Sequence, residues 1–194
     1  MIPCDGLVLA GGQSRRMGQA KADLRMPNGR TLLEQAWGTL NQVCQGTVWV
    51  SRPFGHLSSG PNDLVDQSPQ PGPLPGIAQA LAKSRHSLVA ILAVDLPLIP
   101  VSLYLELYRQ WERNKNCDIV YAHAGDGTEQ PLAALWHKRT LPLIGELIAG
   151  PDNPRVQSVV ARAESLQVDA TSPSYLLNIN TPQDWDSLRQ VARQ

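Results

Sequence analysis

The sequence predicts an α/β fold, a Rossmann-like three-layer sandwich with a mostly parallel central sheet and a small antiparallel hairpin extension. Residues 6–10 and 88–94 are almost continuously apolar, which is typical of parallel strands that are covered on both faces. Segments with helical periodicity separate the strands, as in βαβ units. Residues 123–127 contain two glycines and an aspartate between two further strand-like runs, and this pattern predicts the hairpin turn.

The first half of the chain contains one clear βαβ unit. Thr31 and Glu34 have the spacing of a capping box, and the apolar face of the helix that follows them ends at Gly46. Such a unit is expected to cross over in the right-handed sense. Strands are predicted at residues 6–10, 47–50, 64–65 and 88–94, and a second helix at 77–85.

The second half of the chain is predicted to alternate between helices and short strands. Thr181 is a candidate N-cap and Pro182 suits the first position of the last helix. Asn178 and Asn180 precede this helix in an extended strand end, where both amides would face one side and either contact a polar ligand or cap the turn. The other predicted elements are helices at 102–113, 141–149 and 154–162 and strands at 118–121 and 132–136.

Length, charge and cysteine content exclude several classes of protein. We expect a single domain over residues 1–194, and the 17 basic and 17 acidic residues leave no net charge to attract nucleic acid or a membrane surface. Three widely spaced cysteines without a C-x-x-C pair predict buried, reduced thiols rather than a disulfide framework or a zinc site. Because the chain has neither an apolar run of about 18 residues nor a signal-peptide pattern, we expect a cytoplasmic protein.

Residues 7–21 combine a buried strand with a glycine turn and a cationic loop. Gly11 and Gly12 follow the first strand and lack a Cβ, so the chain can turn sharply and bring backbone N–H groups against a ligand. Arg16 and Lys21 then supply positive charge. The segment has neither the Gly-Lys-Ser/Thr of a Walker A loop nor the G-x-G-x-x-G of the dinucleotide fingerprint. We therefore predict a phosphate-binding loop of another type.

A carboxylate ends the most apolar strand. Asp95 follows residues 88–94, and ligands of open α/β sheets bind outside the carboxyl ends of the strands. Mg²⁺ takes only one or two carboxylates and completes its shell with water and substrate phosphates. We predict that Asp95 is the Mg²⁺ ligand; the alternative is that it caps the segment after Pro100.

A long segment rich in proline, glycine and serine spans residues 54–75. Loops of this length inside a compact domain are usually functional. Asp66 and residues 71–76 are therefore candidates for lining the ligand cleft. The alternative for Asp66 is that it caps the next turn.

Four separated stretches resemble the signature motifs of one family. They are L-A-G-G-x-S-x-R-M-G-x-x-K at 9–21, Asp66 with P-G-P-L at 71–74, D-x-P at 95–97 and N-x-N-T-P at 178–182. In this order they resemble the MobA-like nucleotidyltransferases, and the last stretch favours the molybdenum-cofactor branch. The resemblance spans nearly the whole chain. It implies an enzyme that transfers GMP from GTP to molybdopterin or Mo-molybdopterin and releases pyrophosphate.

The resemblance also implies roles for individual residues. The catalytic residues would be Arg16, Lys21 and Asp95, and Asp95 would hold Mg²⁺. The nucleotide would contact Leu9, Ala10, Gly11, Gly12, Lys21, Asp66 and Asp95. Asn178 and Asn180 would bind the acceptor, and residues 129–135 would lie near it. Molybdoenzymes and other proteins of molybdenum cofactor biosynthesis are candidate partners.

Two departures from the family pattern leave the base specificity open. Ala20 stands where many members have aspartate, and Leu96 follows Asp95 where methionine or threonine is more usual. The competing hypotheses are a related transferase that uses CTP or another phosphorylated acceptor, and a non-catalytic nucleotide-binding adaptor in molybdoenzyme assembly.

Overall fold

A single seven-stranded sheet organises the computed structural model, which describes residues 1–11, 21–58, 60–67, 72–151 and 153–191. The strands are β1 Cys4–Leu9, β2 Val48–Arg52, β3 Asp63–Val65, β4 Leu88–Ala93, β5 Ile119–His123, β6 Glu129–His137 and β7 Ser165–Asp169. Their spatial order is β3-β2-β1-β4-β6-β5-β7. β6 runs antiparallel to β4 and β5, and the other pairings are parallel. The predicted mostly parallel sheet with a hairpin is confirmed.

Helices cover the sheet on both faces. They are α1 Leu32–Val43, α2 Leu74–Lys83, α3 Val101–Arg113, α4 Leu141–Ala149, α5 Val156–Val160 and α6 Pro182–Val191. α1 packs beside α3, and α2 packs beside α4, so these two pairs form two separate layers. β1 and β4 lie between these layers and are buried along their whole length, as their apolar sequences predict.

Local signals fix several of the element boundaries. Thr31 caps α1, because its hydroxyl accepts from the Glu34 N–H while the Glu34 carboxylate accepts from the Thr31 N–H, which confirms the capping box. The hairpin turn is also confirmed: Ala124 and Thr128 are joined by a backbone hydrogen bond, and Gly127 has a φ of 90° that favours glycine.

The hairpin strand is longer and less regular than its sequence suggests. β6 starts at Glu129 rather than at 132, and its register against β5 shifts between the pairs Tyr121–Ala134 and Ala122–Gln130. Residues 131–133 therefore have no counterpart in β5. Pro131 lacks an N–H for the ladder, so the irregularity falls where a proline is tolerated.

The secondary structure differs from the prediction at three further places. No strand is predicted at β7. Its sequence is short, half-exposed and without a clear apolar face, and the strand forms by pairing with β5. α2 begins at Leu74 rather than at 77, so residues 74–76 belong to a helix and not to the preceding loop. Residues 177–180 pair with no described strand and form an extended connection after a 3₁₀ turn at Pro173–Leu176.

Two cysteine thiols lie close together inside the fold. Cys4 and Cys44 are buried and free, with 3.5 Å between their sulfur atoms, while Cys117 is partly exposed. Within the described ranges, no helix combines the length and apolar character needed to cross a membrane.

Candidate active site

The polar residues singled out by the sequence gather at one edge of the sheet. β1 pairs in parallel with both β2 and β4, and β2 pairs in parallel with β3, so the carboxyl ends of these four strands face the same way. Gly11 follows β1, Asp66 follows β3 and Asp95 follows β4. This edge is where open α/β sheets bind ligands.

Lys21 and Asp95 form an ion pair at the centre of this edge. The Lys21 Nζ lies 3.4 Å from the Asp95 Oδ2, and the two side chains are 17% and 27% exposed. The sheet fixes one partner, because the Val94 N–H donates to the Leu9 carbonyl at 3.2 Å and extends the β1–β4 ladder up to Asp95. A short 3₁₀ helix, Lys21–Asp23, carries the lysine. Two residues far apart in the chain thus place a cation and an anion side by side.

Asn180 completes this cluster. Its Oδ1 accepts a hydrogen bond from the Lys21 Nζ at 2.8 Å, and the preceding Ile179 N–H donates to the Asp95 carbonyl at 2.9 Å. Asn178, in contrast, lines a cavity of about 340 Å³ together with Thr128 and residues of the 3₁₀ turn before it. The two asparagines therefore face different surroundings, because residues 177–180 are a connection and not a regular strand.

Asp66 has an unusual environment for a carboxylate. Its Oδ1 is buried and has no hydrogen-bond partner among the described residues. Burial raises the pKa of Asp66 to about 6, because the charged form has lost solvation without gaining a compensating donor. An unpaired buried polar atom at a strand end is a common sign of a ligand-binding position.

The glycine turn is only partly within the described chain. Leu9 ends β1, Ala10 is half-buried, and a Cβ added to Gly11 would meet no described atom within 4 Å. Gly12 and Arg16 lie outside the described residues, as does Pro71 of the proline-rich segment. Their assignments therefore stay predictions.

The chain is similar in sequence to a known family of proteins. Residues 6–168 match the model of the MobA-like NTP transferase domain. A relative in Bacillus subtilis (strain 168) named "Probable molybdenum cofactor guanylyltransferase" is 32% identical, and the alignment covers 95% of this chain and 94% of the relative. The chain belongs to the MobA-like NTP transferase family. It is accordingly an enzyme, a nucleotidyltransferase.

Solved structures with low sequence identity share the fold of this nucleotidyltransferase. Molybdopterin-guanine dinucleotide biosynthesis protein A from Archaeoglobus fulgidus has a TM-score of 0.78 at 17% identity, covering 97% of this chain and 98% of its own. The 2-C-methyl-D-erythritol 4-phosphate cytidylyltransferase of Thermus thermophilus has a TM-score of 0.68 at 17% identity, covering 100% of both chains. Since these neighbours differ in substrate, the fold alone does not select the base.

The nucleotidyltransferase offers oxygen ligands suited to a hard divalent cation. The Asp95 carboxylate and the Asn180 amide oxygen both lie within hydrogen-bonding reach of one ammonium group, so they are close neighbours. No group of three or more His, Cys, Asp or Glu side chains suitable for a metal occurs among the described residues. Mg²⁺ needs no such group when substrate phosphates and water supply its other ligands. The donor set fits Mg²⁺ delivered with a nucleotide.

A second cavity lies beside the irregular part of β6. Its volume is about 400 Å³, and its lining includes Gly72, Glu129, Gln130 and Arg155. Gln130 is buried and its amide donates to the Leu176 carbonyl at 3.4 Å. The family resemblance implies that residues 129–135 lie near the acceptor, but no sequence motif singles out Arg155. The two prolines near Arg155 mark a turn, yet only the fold brings that turn beside β6.

Proposed function

We propose that this enzyme transfers GMP from GTP to molybdopterin, or to its molybdenum-loaded form, and releases pyrophosphate. The observation that carries the proposal is the cluster of Lys21, Asp95 and Asn180 at the carboxyl ends of β1 and β4. A cation, a metal-binding carboxylate and an amide oxygen within contact of one another are suited to a polyphosphate with its divalent ion. The name of the 32%-identical relative supports the choice of guanylyl transfer.

The reaction requires one bond to form at the α-phosphorus of GTP and one to break. A terminal phosphate oxygen of the acceptor attacks this phosphorus, and the bond to the bridging oxygen of the β-phosphate breaks, so pyrophosphate departs with the electron pair. The attacking phosphate is already anionic near neutral pH, so no general base is needed. Catalysis therefore depends on alignment and on charge stabilisation.

The residues divide these two tasks. Asp95 would hold Mg²⁺, with the Asn180 oxygen beside it; the bound ion would neutralise charge on the phosphate oxygens. Lys21 and Arg16 would stabilise the transition state and the leaving pyrophosphate. The backbone of residues 9–12 would line the nucleotide.

Asp66 would contact the nucleoside. It follows β3, which lies three strands away from β4 in the sheet, a separation of about 14 Å at the usual strand spacing, which an extended nucleotide can span. Its unpartnered Oδ1 would accept a hydrogen bond from the base or the ribose. The resemblance implies that Asn178 and Asn180 contact the acceptor, although the two residues face different surroundings and Asn178 lines a separate cavity. The cavity beside β6 offers Arg155 as a further cation for the acceptor phosphate.

Substrate choice is tested by supplying the enzyme, Mg²⁺ and molybdopterin with each nucleoside triphosphate in turn. We expect pyrophosphate release and a GMP-bearing product with GTP only. Equal or faster turnover with CTP would assign the enzyme to a cytidylyl branch. Binding of nucleotide without pyrophosphate release, with all four nucleotides and with molybdopterin present, would favour the adaptor hypothesis.

The Asp95→Asn variant tests the site itself. We expect kcat/KM to fall by at least about 100-fold, because the metal anchor and the partner of Lys21 are lost together. Asp169→Asn is the matched control: Asp169 also ends a parallel strand of this sheet but is 81% exposed and pairs with His123. Equal activity of both variants would contradict the assignment of Asp95.

A further inference from the structure

The segment that caps α6, residues 179–184, touches both partners of the catalytic ion pair. Its Ile179 N–H donates to the Asp95 carbonyl at 2.9 Å, and its Asn180 Oδ1 accepts from the Lys21 Nζ at 2.8 Å. Ile179 is buried, whereas Asn180 is exposed, so core packing does not hold the Asn180 side chain. Apart from the bond to Lys21, the orientation of Asn180 therefore depends on how its backbone is held.

Asp184 supplies that orientation from one turn further along the chain. Its Oδ2 accepts hydrogen bonds from the Asn180 N–H at 2.8 Å and from the Thr181 N–H at 2.7 Å. The Asp184 N–H donates in return to the Thr181 hydroxyl at 3.2 Å. One carboxylate oxygen thus fixes two successive peptide groups directly after Ile179.

Helix capping accounts for only part of this arrangement. A capping box consists of the two reciprocal bonds between Thr181 and Asp184. The bond to the Asn180 N–H is additional, and it acts on the residue whose side chain holds Lys21. The pKa of Asp184 is lowered, first by this hydrogen bond from Asn180 and also by the charge of Lys21, so the carboxylate stays ionised as an acceptor at neutral pH.

We propose that Asp184 is a positioning residue, which fixes the Asn180 backbone so that the Asn180 amide oxygen holds the Lys21 ammonium beside Asp95. A lysine side chain has four flexible bonds, and confining its ammonium group requires contacts from more than one side. Asp95 and Asn180 provide two such contacts, and Asp184 keeps the second in place. The kinetic consequence rests on the guanylyl transfer proposed above.

Four variants separate positioning from helix capping. Asp184→Ala removes all the carboxylate bonds, and Asp184→Glu restores an acid that reaches back to the same N–H groups. Thr181→Val removes the hydroxyl but leaves both bonds to the Asp184 carboxylate. Asp186→Ala removes an exposed carboxylate from the same helix and serves as the charge-matched control.

We expect Asp184→Ala to lower kcat by about tenfold or more, with a smaller change in the KM for GTP, because Lys21 acts mainly on the transition state. Asp184→Glu should recover most of the kcat. Thr181→Val should lower the melting temperature yet keep kcat within about twofold of the parent enzyme, as should Asp186→Ala. Equal losses of kcat in Asp184→Ala and Thr181→Val would overturn the proposal.

A structural measurement keeps this test independent of the reaction. Crystal structures of the parent protein and the variants would give the distance from the Lys21 Nζ to the Asn180 Oδ1. It should lengthen in Asp184→Ala and stay near the parent value in Thr181→Val; an unchanged distance in Asp184→Ala would overturn the proposal. If Asp184→Ala does not fold, the isosteric Asp184→Asn replaces it, with an intermediate loss expected. Failure of the parent enzyme to use GTP would refute the proposed function. The distance from the Lys21 Nζ to the Asn180 Oδ1 would then decide whether Asp184 positions Asn180.

Discussion

Two shielded carboxylates at opposite edges of the sheet have opposite hydrogen-bond environments. Asp5, near the start of β1, is 4% exposed and accepts from the Thr47 N–H at 2.6 Å, the Ser84 hydroxyl at 2.6 Å and the Arg85 N–H at 3.1 Å. Asp66, after the end of β3, has a buried oxygen with no partner in the described chain. Asp5 is therefore fully hydrogen-bonded, whereas one oxygen of Asp66 is not.

This difference separates a structural role from a binding role. Three donors around Asp5 come from segments that precede β2 and β4, so the carboxylate ties together the starts of neighbouring strands. An unsatisfied buried oxygen costs stability, and folding alone gives no reason to keep one. We infer that Asp66 is arranged for a ligand donor, whereas Asp5 is arranged for the fold.

Replacing Asp5 should have the largest effect on stability. In Asp5→Asn the amide NH₂, which is a donor, would face backbone N–H or hydroxyl donors and leave them without an acceptor. We therefore expect a loss of about 3 kcal/mol in the free energy of unfolding. Chemical denaturation measures this loss. Ser84→Ala, which removes one donor, should cost only about 1 kcal/mol. The folded fraction of both variants should keep its activity; a fully stable but inactive Asp5→Asn protein would break the comparison.

Replacing Asp66 should move stability and binding in opposite directions. The folded-state pKa of about 6 lies above the unfolded value near 3.9, so the native state binds more protons and stability falls as the pH rises across this interval. At pH 7 the penalty is complete, and Asp66→Asn should gain about 1–2 kcal/mol after allowance for partial exposure. Its affinity for GTP should fall about tenfold, because the amide is a weaker acceptor. Denaturation and calorimetric titration measure the two effects.

Asp63→Asn provides the contrast on the same strand. Asp63 forms an ion pair with Arg52 at 3.3 Å in which both side chains are largely buried, so its replacement should lower the free energy of unfolding by about 2 kcal/mol and leave GTP affinity unchanged. If Asp66→Asn also lost stability at pH 7, the Asp66 carboxylate would have a stabilising partner, and the contrast between Asp66 and Asp5 would not hold.

The smallest predicted effect is a pH dependence of nucleotide binding. As the pH rises from 5 to 7, Asp66 ionises and should accept a hydrogen bond from the nucleoside more strongly, so GTP affinity should improve by about threefold to tenfold. The phosphates of GTP titrate in the same range, so the informative quantity is the difference between the parent protein and Asp66→Asn. Parallel pH profiles for the two proteins would remove Asp66 from the nucleotide site.

Much of the fold was predictable because its signals are local. The apolar runs of β1 and β4 and the capping box of α1 depend on residues that are close in sequence. β7 has no clear signal of its own in the sequence, because it is short and half-exposed and forms by pairing with β5. The start of α2 was placed late because Pro75 looks like a helix breaker, although proline is tolerated in a first turn.

Local patterns in the amino-acid sequence are enough to predict the kinds of groups available to this enzyme: a glycine turn, Lys21, and carboxylates that follow apolar strands. Those features follow from residue chemistry and from short-range periodicity. The packing of the fold brings Lys21, Asp95 and Asn180 together, and local patterns do not reveal this contact. The packing also places Asn178 against a separate cavity and lets Asp184 accept a hydrogen bond from the Asn180 N–H. These contacts join segments up to 159 residues apart in the chain, and their geometry depends on how the whole sheet and α6 pack.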